Sequence, residues 1–122
     1  MQQGMLFDVP RPERMELGNV YVMHMPQRSG PDMWKIGHTV RSVQVRAREI
    51  ACVPIAWWPG TEHDERDLHR RFKRLRMSPS AEFFLRAPDI DQWVLQMARR
   101  AGRPAELAAL AQIFLTWPSK AA

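Results

Sequence analysis

Two short runs rich in β-branched and aromatic residues, Val20-Tyr21-Val22 and the stretch from Met33 to Gly37, flank a segment of almost pure turn chemistry running from Pro26 to Asp32. This arrangement restricts the fold more than anything else in the chain. β-Branched and aromatic side chains fit a pleated, half-buried surface, whereas Pro, Gly, Ser and Asp favour chain reversal. Two such runs joined so closely pair as an antiparallel hairpin. The first strand extends to about Met25.

Helical spacing follows. Ser42 reads as an N-cap for a helix to about Ala51, with Val43, Ala47 and Ile50 on its buried stripe. Residues 53–59, with Ile55, Trp57 and Trp58, predict a third strand ended by Pro59-Gly60. Thr61 caps a helix expected to reach Arg76, with Leu68, Phe72 and Leu75 facing inward. Met77 to Ala81 reads as a loop and Phe83-Phe84-Leu85 as a short extended segment. Pro88 opens a helix that Gly102 ends, and Pro104 opens a last one, apolar through Leu107, Leu110, Ile113 and Leu115. The expected fold is α+β: a small antiparallel three-stranded sheet, hairpin plus third strand, flanked by helices, with extra C-terminal helices. At 122 residues the chain fits one core. Residues 1–17, interrupted by Pro10 and Pro12, read as a flexible tail, 18–100 as the folded domain and 101–122 as a helical extension.

Composition narrows the function class. Eighteen Lys and Arg against 13 Asp and Glu give a net charge of +5, which suits a polyanion-binding surface. No apolar run approaches the roughly 20 residues of a membrane-spanning helix, so no membrane partner is expected. Acidic and proline residues follow Phe7 where a signal peptide would continue apolar. Cys52 is the single cysteine, which leaves no intrachain disulfide and suggests a reducing, cytoplasmic location.

Several residues sit where packing alone would not put them. Arg46 lies three after Val43 and four before Ile50, on their inward-facing side. A guanidinium there must snorkel outward or meet an anion. Glu65 precedes Leu68 by three and continues the apolar stripe of its helix, in the first turn where the dipole favours a carboxylate. Taken alone, Tyr21 is a packed aromatic, Lys35 a solvated strand residue, His38 a loop histidine, Arg46 a snorkelling arginine and Glu65 a dipole partner. Their order and spacing carry more than any one of them.

Gly18-Asn19-Val20-Tyr21-Val22, then Lys35-Ile36-Gly37-His38-Thr39, Arg46, Glu65-x-x-Leu68-His69 and Glu82-Phe83-Phe84 together resemble the GIY-YIG nuclease superfamily. The likeness spans roughly residues 18–95, and more narrowly it is similar to a compact phage and bacterial branch with Lys-Ile-Gly in the second motif. The resemblance implies a metal-dependent endonuclease that hydrolyses phosphodiesters, with DNA the first substrate to expect. Tyr21 would act as general base, directly or through a water. Its phenol needs help to do so near neutrality, and Lys35 nearby would favour the phenolate. Arg46 would stabilise charge on the scissile phosphate, His38 would orient water or phosphate, and Glu65 would hold one Mg2+ or Mn2+. The sequence departs from the superfamily in having Lys35 for the second tyrosine. His63 and His69 have no cysteine partners for a structural zinc, and His69 reads as packed beside the site.

Substrate would be held by basic residues. The helix after Glu65 carries Arg66, Arg70, Arg71, Lys73, Arg74 and Arg76, and Arg41, Arg46 and Arg48 extend the patch at the preceding helix. Of these, Arg41, Arg66, Arg70, Lys73 and Arg74 are the expected phosphate contacts. Trp57 and Trp58 offer stacking for unpaired bases or simply pack. In the tail, Gln3-Gly4-Met5-Leu6-Phe7 resembles the Gln-x-x-Leu-Phe peptide that docks bacterial proteins on the sliding clamp, with Gln3, Leu6 and Phe7 as anchors. The alternative to an enzyme is a catalytically inactive nucleic-acid-binding or adaptor module on the same fold.

Overall fold

The computed structural model describes residues 16–26, 32–78 and 81–121. Strand β1 (Gly18–Met25) and strand β2 (Met33–Thr39) form the antiparallel hairpin, followed by helix α1 (Val43–Ile50) and strand β3 (Val53–Gly60). Helix α2 (Glu62–Arg71) leads through a single 3-10 turn (Lys73–Leu75) to strand β4 (Phe83–Leu85), and helices α3 (Pro88–Ala101) and α4 (Pro104–Ala121) complete the chain. The class is α+β. Among the described residues no helix is long and apolar enough to cross a membrane.

Among the described residues the sheet has four strands, not three, in the order β3-β1-β2-β4, every pair antiparallel. The extra strand is Phe83–Leu85, which pairs with Met33–Lys35 along the outer edge of β2. Three residues are too few to show a period in sequence. The pairing depends instead on Phe84, wholly buried in the same core cluster as Trp34. Arg86 then fixes the strand: its guanidinium donates to Asp91 at 2.9 Å, and Trp34 Nε1 donates to the same carboxylate at 2.7 Å.

Both faces of the sheet are covered, which explains why β1 reads as nearly continuous apolar sequence. Tyr21 and Met23 point to one side and pack with Val43, Ala47 and Cys52 beneath α1. Val22, Trp34 and Ile36 point to the other, into a larger core with Phe72, Phe84, Ile90, Trp93 and Leu110. Helix α1 starts where Ser42 Oγ accepts from Val45 N at 3.3 Å. It ends at Ala51, a non-glycine residue in the left-handed region at φ 55°. Gly102 ends α3 in the same conformation at φ 63°.

The α-helical part of α2 stops at Arg71, short of the expected Arg76. Phe72 and Leu75 are three apart, a spacing that a 3-10 turn satisfies as well as an α-helix does. The apolar stripe therefore could not tell the two apart.

Candidate active site

The centre of the site begins with a glycine. Tyr21 on β1 lies directly opposite Gly37 on β2, and a Cβ at position 37 would run into the Tyr21 hydroxyl and ring. Only glycine leaves room for the ring at this position of the neighbouring strand. The ring is 1% exposed, and burial pushes the phenol above its ordinary pKa. A side-chain interaction with the Arg46 guanidinium opposes that rise, and the acidic charges of Glu82 and Glu65 add to it. The hydroxyl therefore keeps its proton at neutral pH. The same set of influences identifies its neighbourhood: Arg46 from α1, Glu65 from α2 and Glu82 from the entry to β4.

Arg46 reaches Tyr21 from one turn beyond Val43, with its side chain 35% exposed and Nη1 3.4 Å from Glu49. The cation acting on the phenol is thus Arg46. Lys35, expected in that role, is instead paired with Glu82 and lies 5.0 Å from the Phe83 ring centroid.

Glu65 is carried into the sheet by α2. Thr61 opens this helix, its backbone N donating to Asp64 Oδ2 at 2.8 Å while its Oγ1 accepts from His63 N at 3.2 Å. One turn further on, His69 Nε2 lies 2.9 Å from the Ile36 carbonyl oxygen. A carbonyl only accepts, so Nε2 carries the proton, and burial keeps the imidazole neutral by lowering its pKa. This bond ties α2 to β2 and leaves Glu65 Oε2 3.5 Å from the same nitrogen. Glu65 is 8% exposed, and its pKa is pushed up to about 8 by burial first and by Glu82 second. Burial also opposes ionisation of Glu82, but Lys35 overrides it and holds that carboxyl below its usual range. At neutral pH Glu82 is the charged member and Glu65 holds the proton.

His38 stands apart. Its Nε2 lies 3.0 Å from the Gly60 carbonyl oxygen, across Gly18, where a Cβ would come within 2.9 Å of that nitrogen. It lines a cleft of about 330 Å3 together with Arg41 and Arg46. A second cleft, about 440 Å3, has Glu65, Glu82 and His69 in it and Arg66, Arg70, Lys73 and Arg76 around them. Glu62, in the first turn of α2, lines both.

Of the expected phosphate contacts, Arg66, Arg70 and Lys73 line the Glu65 cleft and Arg41 the neighbouring one. Arg41 also forks onto Glu49 at 2.9 and 2.6 Å. Arg74 lines neither cleft and pairs with Asp89 on α3, because the chain turns there through the 3-10 segment. Stacking of bases on the tryptophans is not supported. Arg103 covers Trp57 with its guanidinium 3.8 Å from the ring centroid, Trp58 packs edge-on against Trp93, and neither lines these clefts. Gln3, Leu6 and Phe7 lie outside the described residues. Glu82 and Arg76 belong to the cleft but were not among the expected site residues. The Glu82-Phe83-Phe84 element was visible in sequence. That its acid meets Lys35 and Glu65 depends on β4 pairing with β2.

Among the described residues no three His, Cys, Asp or Glu are grouped to hold a metal ion. A hard cation in this cleft would be held through one carboxylate, Glu65, with water and substrate oxygens completing its shell. Glu65 would have to lose its proton to serve as such a ligand, and the nearby ammonium of Lys35 is already paired with Glu82. No family model matches the chain, and no curated protein or solved structure matches it either.

Proposed function

We propose that the chain is a metal-dependent endonuclease of the GIY-YIG type, cutting nucleic-acid phosphodiesters, with DNA the first substrate to test. One arrangement carries this reading: the hydroxyl of Tyr21, seated against Gly37 on the hairpin, has Arg46 from one helix and Glu65 from another among the charges that bear on it. A packed core aromatic does not require that company.

Each role in this reading rests on the charge and position of its residue. Tyr21 would hold the attacking water through its hydroxyl, and Arg46 is the group that opposes the rise in that hydroxyl's pKa. Arg46, one third exposed, would also meet a phosphate and stabilise the charge that develops on it. Lys35 keeps Glu82 ionised. Glu65 would hold the divalent ion, Mg2+ or Mn2+, and its own proton must leave first. When bound, such an ion supplies Lewis-acid polarisation of the phosphate. His38 and Arg41 in the adjoining cleft would steady the strand on one side, and Arg66, Arg70 and Lys73 on the other.

The test is Mg2+-dependent cleavage of single-stranded, duplex and branched DNA and of RNA, abolished in both Tyr21→Phe and Glu65→Ala. Undiminished cleavage in both variants defeats the reading. A second reading, a nucleic-acid-binding module without turnover, is favoured by the protonated state of Tyr21 and Glu65 at rest. It predicts salt-sensitive binding with no cleavage at any metal concentration.

A further inference from the structure

The basic residues around the Glu65 cleft are not equivalent, and Arg76 differs from the rest. Its Nε donates to the Ala81 carbonyl at 2.5 Å, and its backbone forms an isolated bridge with Phe84. Met77 N donates to the Phe83 carbonyl at 3.0 Å on the next residue. The arginine is thereby fixed along the flank of β4, beside the strand that delivers Glu82. Its two Nη groups make no hydrogen bond or ion pair with a described residue. Arg70, in the same cleft, pairs instead with Asp67. Arg76 also lines two clefts: the one holding Glu65 and Glu82, and a further one of about 460 Å3 formed with Lys73, Met77 and Ser78. The basic surface therefore continues past the carboxylates instead of closing over them.

A guanidinium anchored through Nε presents its remaining donors as a pre-set fork, the geometry that suits bidentate binding of a phosphate. A site for one small phosphate ester needs no such extension beyond its carboxylates, whereas a polymer has a next phosphate to hold. We infer that Arg76 binds a backbone phosphate of the nucleic-acid strand next to the one engaged by Arg46 and Glu65, with Lys73 as its companion. This rests on the nuclease reading above for its substrate class, but not on turnover.

The experiment measures binding of the full chain to a short labelled DNA duplex, and to one of its strands, in EDTA over a salt series. Arg76→Ala is expected to weaken binding about tenfold and to lower the slope of log affinity against log salt by about one phosphate's worth. Arg76→Gln keeps a donor for the Ala81 carbonyl but loses the charge, and the same loss of slope is expected. It therefore carries the test if the alanine variant fails to fold. Arg100→Ala, at an exposed arginine on α3 that lines neither cleft, serves as the control and should bind as the parent does. A residue that merely braced the start of β4 would alter the melting temperature and leave the slope unchanged. An unchanged slope in both Arg76 variants overturns the inference. If the parent chain cuts nothing while the slope still falls with Arg76, catalysis is lost as a reading and the phosphate site stands.

Discussion

Glu65 in the first turn of α2 and Glu82 at the entry to β4 are neighbours that ionise at very different pH, and Lys35 decides which of them is charged. The ammonium is bound to Glu82, so Glu82 loses its proton early while Glu65, more deeply buried, keeps its own to about pH 8. Two carboxylates brought together this way disfavour simultaneous ionisation unless a further cation joins them.

The first prediction concerns stability against pH. The Glu65 pKa is raised on folding from 4.5 to about 8, so the folded state binds the extra proton between these values. Its contribution is full below the lower value and is lost as pH rises through the upper one. Without divalent ions the melting temperature should fall between pH 5 and pH 8 by an amount on the order of 1 kcal/mol or more, roughly 5 °C for a domain of this size. Glu65→Gln should flatten that dependence. At pH 8, Mg2+ or Mn2+ should raise the melting temperature of the parent and not of Glu65→Gln. Equal shifts in both would place the ion elsewhere.

Removing one oxygen tests the phenol. Tyr21→Phe retains the ring across Gly37 and should fold with a change in stability of about 1 kcal/mol or less. Cleavage should drop by roughly 10²- to 10⁴-fold, the usual worth of a proton-handling group. Circular dichroism and a cleavage assay on the same preparation separate the two effects.

Gly37→Ala should do the reverse. The added methyl meets the Tyr21 hydroxyl and ring, both held by packing from α1. Overpacking of this kind costs about 1–3 kcal/mol, read as an earlier midpoint in urea. A variant as stable as the parent would mean that the ring moves freely, which its burial argues against.

At the end of α1, Ala51 adopts a backbone conformation that side chains disfavour. Ala51→Gly should therefore stabilise the fold by about 0.5–1 kcal/mol, measurable by chemical denaturation. No change or a loss would show that the alanine methyl contributes more than the strain removes.

The tail makes a prediction independent of the fold. A peptide of residues 1–10 should bind a purified bacterial sliding clamp, and replacing Leu6 and Phe7 together by alanine should abolish binding. Absence of binding by the unaltered peptide ends the idea.

Local chemistry was readable where it is governed by neighbours in the chain. The hairpin follows from β-branched runs around turn residues, α1 from Ser42, α2 from Thr61, and the end of α3 from Gly102. Arg46 and Glu65 stood out because each is a charge at an apolar phase of its helix. Other features were less legible. β4 is too short to carry a period, and the 3-10 turn shares its three-residue spacing with the helix before it. Arg74 looked equivalent to Lys73 until that turn directed it toward Asp89.

By itself, the sequence determined the α+β class, the hairpin, the helix starts and the identity of the residues whose charge conflicts with packing. These are decided by propensity, capping and periodicity, which act over a few residues. Only the tertiary structure decided that Lys35 serves Glu82 and not Tyr21, that Arg46 is the phenol's cation, and that Glu65 holds its proton to about pH 8. Those outcomes depend on burial and on charges brought together from distant parts of the chain. Neither quantity exists until β4 has closed against β2 and α2 has been fixed to Ile36.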